Sequence, residues 1–185
     1  MQHLAQMNIG RLIAPLDHPR IADFLAQLDS VNALAEQSRG FLWRLKSDSG
    51  NATDIPYSDD PLVIVNMSVW ESVEALRDFT YASKHVDVLR DRAKWFEKAA
   101  EPTYCLWWIA AGHVPTVAEG AERLDRLRRH GPTPFAFSFA QQFGPIEAAG
   151  ESDIPTDPAA PADSPGAHPA AVKTPDRTAT SAPAV

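Results

Sequence analysis

The sequence predicts an α+β fold in the order strand, helix, strand, strand, helix, strand, with one further helix appended at the C-terminal end. Three observations carry this. Pro61 to Trp70 is a β-branched run with the character of a central strand. Two long segments, one beginning near Pro19 and one near Ser72, repeat apolar residues at steps of three and four, the period of an amphipathic helix. Shorter apolar runs precede and separate these helices and a last one follows, which is the split βαβ order of a ferredoxin-like sheet.

Each element can be justified in turn. Leu4 to Ile13 reads as the first strand, and Asp17-His18-Pro19 combines a capping acid with an early-turn proline. Ile21, Phe24, Leu25, Leu28, Val31, Leu34 and Ala35 form the apolar stripe of the first helix, which Arg39-Gly40 stops. Phe41 to Leu45 is a short strand and Asp48 to Asp60 a turn-rich loop. Val73, Leu76 and Phe79 start the second helix. Val86, Leu89, Ala93 and Phe96 continue it beyond a break near Ser83. Thr103 to Ala110 is the fourth strand. Thr116 and Glu119 have capping-box spacing at the head of the appended helix, which ends at Gly131-Pro132. Phe135, Phe137 and Phe139 follow at period two, as in an extended segment pinned to the domain.

The chain has 185 residues, 44% of them hydrophobic, enough for one well-buried core. That core is expected within residues 1–143. Residues 144–185 contain no aromatic side chain, many prolines, six acidic and two basic residues, and so are expected to form a disordered tail. The tail carries -4 of the net charge of -7, leaving -3 for the domain. A nearly neutral domain argues against a nucleic-acid partner, because such surfaces need a concentrated basic stripe. Arg123, Arg126, Arg128 and Arg129 do cluster, but Glu119, Glu122 and Asp125 interleave with them. Cys105 stands alone, so neither an intrachain disulfide nor a cysteine zinc cage can form. The first residues lack a basic start followed by an apolar run, and no apolar stretch approaches the ~18 residues that span a bilayer. A cytoplasmic protein without a membrane partner is expected.

If Val63, Val65, Met67 and Val69 face the helices, alternation puts Asn66, Ser68 and Trp70 on the opposite face of the sheet, with Gln6, Asn8 and Arg44. Such an uncovered, mixed face predicts a homodimer through the sheet and a cavity with apolar walls and several hydrogen-bonding groups. Asn66 and Ser68 need partners because polar groups buried in a strand are costly. Arg44 suits a carboxylate or an enolate, unless a partner acid pairs with it. His85 can act as a base or proton shuttle, against the plainer reading of a surface histidine. Trp70 and Trp108 can wall a planar ligand, although Trp107 and Trp108 must point to opposite faces. His113, in a Gly-His-Val-Pro loop, reads as a residue bonded to the loop backbone.

The run from Val65 to Phe79 resembles the strand-to-helix signature of the dimeric α/β-barrel superfamily, to which antibiotic-biosynthesis monooxygenases belong. Gly40-Phe-Leu-Trp-Arg-Leu45, His85, Trp107-Trp108-Ile109, Gly112-His-Val-Pro115 and the segment Gly131 to Phe139 resemble a bacterial family of unknown function within it. The resemblance runs from Leu4 to Phe139. It implies a ferredoxin-like domain that pairs as a dimeric α/β barrel, and activities that range from cofactor-free oxygenases, isomerases and heme degraders to non-catalytic stress proteins. The heme-degrading branch resembles this chain at Asn8 and Trp70. Its second tryptophan and its heme-ligating histidine would fall on Phe79 and Leu89. His85 stands one helical turn earlier, about 6 Å away at ~1.5 Å per residue. Heme is therefore the weaker expectation, and no cofactor is the stronger.

The reading that combines these points is an oxygenase or isomerase for a small aromatic or polyketide-like compound. Its catalytic candidates are His85, Asn66 and Arg44, and its binding candidates are Asn8, Ser68, Trp70 and Trp108. A non-catalytic dimeric ligand-binding or stress protein is the alternative. Nucleophile-elbow, phosphate-loop and dinucleotide motifs do not occur.

Overall fold

Strand β1 (Gln2–Arg11) pairs along its length with two others, β3 (Val63–Trp70) and β4 (Tyr104–Ala110), both antiparallel. The short β2 (Phe41–Arg44) adds to the far edge of β3, giving the order β2-β3-β1-β4 of a ferredoxin-like sheet. The structure is a computed structural model and describes residues 1–82 and 90–145. All but the first two residues of the expected tail lie outside the described residues, as do His85 and the expected helix break near Ser83.

Helix α1 (Ala22–Gln37) follows a 3-10 turn at Pro19–Ile21. The cap of that turn is His18, whose Nδ1 accepts from the Arg20 backbone N at 3.1 Å, not Asp17 as the sequence suggests. Gly40, at φ 79°, makes the left-handed step that ends the segment. Helix α2 (Val73–Ala82) carries Val73 and Leu76 on its buried face. Helix α3 (Val117–His130) starts where the Thr116 hydroxyl accepts from Glu119 N at 3.1 Å, one half of the expected capping box.

Alternation divides the sheet side chains into two sets. Ala5, Met7, Val65, Met67, Val69, Cys105, Trp107 and Ile109 form one face, all at most 5% exposed, and pack with Leu124 and Leu127 of α3. The helix seats closely because residue 120 is glycine: a Cβ there would lie 2.5 Å from Met7 Sδ. Ile55 and Tyr57 of the long loop and Phe135 pack against the same cluster. On the other face, Leu4, Trp70 and Leu106 pack with Ala35 of α1 and with Val73 and Leu76 of α2. A third cluster gathers Leu12, Ile21, Phe24 and Trp95.

This arrangement reverses the expected faces. Val65, Met67 and Val69 meet α3, whereas Ser68 and Trp70 point to the side of α1 and α2. The mixed face expected to await a second copy of the chain lies under α1 and α2, and the chain's own α3 covers the opposite one, so the reason for expecting a homodimer through an uncovered face does not hold. Phe137 exchanges backbone hydrogen bonds of 2.8 and 2.9 Å with Leu106 and so lines the outer edge of β4. The phenylalanine segment is pinned as expected, but not to one face. A tight turn, in which Thr133 and Ala136 exchange backbone hydrogen bonds, sends Phe135 to the α3 side and Phe137 and Phe139 to the other.

Candidate functional site

Two polar pairs stand side by side at the centre of the sheet, Gln6 opposite Ser68 and Asn8 opposite Asn66. Their hydrogen bonds fix one another's orientation. The Trp70 indole can only donate, and does so to Ser68 Oγ at 2.9 Å. The Ser68 hydroxyl then gives its single proton to Gln6 Oε1 at 3.0 Å. With its carbonyl committed, Gln6 donates from Nε2 to Asn8 Oδ1 at 2.8 Å. Asn66 Nδ2 donates to the same oxygen at 3.1 Å. The outcome is an ordered chain in which Asn8 Nδ2 and Asn66 Oδ1 carry no further hydrogen bond among the described residues. Gln6 and Ser68 are buried, at 8% and 7% exposure, and Asn66 is open to solvent.

This chain of groups borders a cavity of about 40 Å³ between the sheet and the two helices, lined by Val31, Asn32 and Ala35 of α1, Phe41 and Arg44 of β2, Asn66, Ser68 and Trp70 of β3, and Phe79 of α2. Three aromatic rings form one wall. Phe79 stacks on Trp70 at 5.1 Å between ring centres, and Phe41 meets Trp70 edge-on at 5.3 Å. Arg44 reaches the cavity because the β2 register shifts between Phe41 and Trp43, so that Phe41 and Arg44 share a face while Trp43 packs on the other. Its Nε donates to Glu36 Oε1 at 2.8 Å.

Asn66, Ser68, Trp70 and Arg44 thus come together as expected, with Asn8 one hydrogen bond behind them. They do so under the helices and not on a face between two copies. Trp108 is not with them. It lies over a separate groove of about 280 Å³ with Val73, Glu74, Gln142 and Phe143, and its indole donates to Phe143 O at 2.7 Å. His85 lies outside the described residues. Asn32 was missed by sequence reasoning, although its position four residues after Leu28 and three before Ala35 sets an amide on the apolar stripe of α1.

A second polar cluster sits on the α3 face. Glu119 receives the Trp107 indole at 2.9 Å, meets His113 Nε2 at 2.8 Å and lies 3.5 Å from Arg123. His113 therefore pairs with a carboxylate rather than the loop backbone. Burial pushes the Glu119 carboxyl up, but hydrogen bonds from His113 and Trp107 and the charge of Arg123 outweigh it and hold the group below its ordinary range. Cys105 is sealed beneath, its thiol donating to Gly120 O at 3.7 Å and pushed up to about 12 by burial, which makes it a poor nucleophile. Among the described residues no group of three or more His, Cys, Asp or Glu side chains could hold a metal ion. Among them, too, no helix is long and apolar enough to cross a membrane.

A four-stranded ferredoxin-like sheet with helices on both faces and a polar seam under one pair of them defines the class: an α+β domain of the type expected from the sequence. The chain belongs to the family described as domain of unknown function DUF3291, whose model matches residues 3–152. This is the unknown-function family that the motifs anticipated. No curated protein matches the chain. Among solved structures, it is similar to a protein of unknown function from Nitrosomonas europaea at 17% identity and a TM-score of 0.42, over 63% of this chain and 97% of that one. It is also similar to SnoaB, a cofactor-independent oxygenase from Streptomyces nogalater, at 13% identity and a TM-score of 0.39, over 62% and 97% of the two chains. A dabb family protein with a ferredoxin-like fold from Mesorhizobium loti matches at 15% identity and a TM-score of 0.36, over 58% and 96%.

Proposed function

We propose that the cleft between the sheet and helices α1 and α2 binds a small planar molecule, and that the protein acts there as a cofactor-independent oxygenase or isomerase. The observation that carries this reading is the ordered chain from Trp70 through Ser68, Gln6 and Asn8 to Asn66, which ends in uncommitted amide groups beside a cavity with an aromatic wall. Amide donors held rigidly by a network need no reorganisation when charge develops on a ligand oxygen, which is what an enolate requires. In this reading the second Nδ2 proton of Asn66 stabilises that oxygen, Asn8, Gln6, Ser68 and Trp70 hold the amide in place, and the ring wall of Phe41, Trp70 and Phe79 borders the flat part of the substrate. The buried, unpaired Cys105 suits a reducing compartment, and we place the protein in the cytoplasm.

The test is oxygen uptake and product analysis with an anthrone, an enolisable aromatic ketone whose reaction with one O2 gives the quinone and water. Turnover by the native protein and a loss of about a hundredfold in Asn66→Ala are expected. The lining of the cavity favours a second reading, non-catalytic binding, because none of the described residues that line it carries a carboxylate or imidazole that could take a proton. Binding of the anthrone, seen by native mass spectrometry, without turnover would select that reading. Neither binding nor turnover would sink both.

A further inference from the structure

Arg44 occupies an unusual position for a cation. Its side chain is 10% exposed, yet only its Nε is engaged, by Glu36 Oε1 at 2.8 Å. The two terminal nitrogens of the guanidinium have no hydrogen bond among the described residues. Glu36 does not balance the charge alone, since Lys46 Nζ lies 4.0 Å from the same oxygen, so one carboxylate stands between two cations. Arg44 lines the cavity with Asn32 and Asn66, whose amides also keep unused hydrogen-bonding groups. A guanidinium nine-tenths withdrawn from solvent gains when oxygen atoms meet its free donors.

We propose that Arg44, with Asn32 and Asn66 beside it, is a subsite for an anionic, planar oxygen group of the ligand, a carboxylate or an enolate. This rests on the cleft being a ligand site, and adds the charge class of what it takes. The terminal nitrogens of a guanidinium match the two oxygens of a carboxylate, whereas a single ketone oxygen leaves one donor unmet. The aromatic wall of Trp70, Phe41 and Phe79 on the same cavity favours a head group conjugated with a ring. At about 40 Å³ the cavity takes the head group only, and the rest of the ligand must leave past Asn66, the lining amide that is open to solvent.

The experiment uses benzoate and benzamide, which share shape and differ in charge, titrated at low ionic strength into the full chain. Binding is followed by the side-chain amide signals of Asn32 and Asn66 and the indole signal of Trp70. Benzoate is expected to bind tighter than benzamide by about tenfold or more. Arg44→Gln is expected to abolish that ratio by weakening benzoate far more than benzamide, and Arg44→Lys to keep only part of it. Glu36→Gln separates recognition from a merely structural ion pair. Removing the competing charge while keeping an amide oxygen for Nε is expected to strengthen benzoate binding several-fold. Equal affinities for the two probes, or weaker benzoate binding in Glu36→Gln, overturn the anion subsite while the cleft reading stands. If neither probe binds and no signal of Asn32, Asn66 or Trp70 moves, the subsite falls together with the cleft reading.

Discussion

The two faces of the sheet each bury a tryptophan whose indole N–H must find an acceptor, and they solve the problem differently. On the α3 face Trp107 reaches out to Glu119 at the head of a helix, and the strands between stay apolar. On the other face Trp70 finds its acceptor within its own strand, at Ser68, and the polarity then passes inward through Gln6 to Asn8 and Asn66. The first arrangement keeps polar groups at the rim and lets α3 seal the sheet. The second draws them into the middle, where α1 and α2 cannot close completely and a cavity remains. The sealed face and the face that keeps a cavity thus differ less in hydrophobicity than in where the indole finds its partner.

The sharpest way to break this comparison is to open the sealed face. Leu124 is fully buried in α3 against the sheet, so Leu124→Ala removes apolar contacts and leaves a void. A loss of about 2–5 kcal/mol is expected in urea unfolding at unchanged ligand affinity. A loss under about 1 kcal/mol would mean that α3 is not a structural part of the core.

Ser68→Ala tests the opposite face and has a smaller expected cost. It removes the one group that accepts from Trp70 and donates to Gln6, leaving both unmet in a buried setting, at about 1–3 kcal/mol. Its larger effect should be on binding, because Gln6, and through it Asn8, loses the hydrogen bond that fixes its amide. Unchanged affinity for the probe ligands would show that the ordered chain is structural and not part of recognition.

Much of the fold was legible from periodicity, since the β-branched run at Val63 to Trp70 and the apolar stripe from Ile21 to Ala35 each fit one element type. The assignment of faces was not, and the reason is physical. Asn66 and Ser68 read as facing away from the helices, into a cavity on the uncovered side, whereas Ser68 is buried on the side of α1 and α2, where Trp70 and Gln6 satisfy it. Nothing local tells that a partner sits on the adjacent strand, 62 residues away in sequence. The role of α3 was equally hidden: its amphipathic pattern announces a helix with one buried side, not which surface it covers. Arg44 was found by its residue type, but the register shift in β2 that turns it toward the cavity left no mark in the sequence. Asn32 did leave one, an amide at core spacing on α1.

The smallest effect expected belongs to Glu119, and pH brings it out. Its carboxyl is held below its ordinary value, about 4.3 for a glutamate, because His113, Trp107 and Arg123 favour the ionised form over the cost of burial. A group whose folded value is depressed contributes stability that is present above its unfolded value and is lost as pH falls through the folded one. Glu119→Gln keeps the side chain's shape and an oxygen for the Trp107 indole but removes the charge that pairs with Arg123, 3.5 Å away. The variant should therefore be less stable than the native chain by about 1 kcal/mol at pH 6. The gap should narrow as pH falls below about 4.3, where the unfolded chain's carboxyl takes up its proton, and close at lower pH, where the native carboxyl does so and the two side chains become alike in charge. Thermal midpoints of both proteins between pH 3 and pH 6 measure this directly. A gap that stays constant or widens toward pH 3 would show that the charge of the carboxylate is not stabilised by its neighbours.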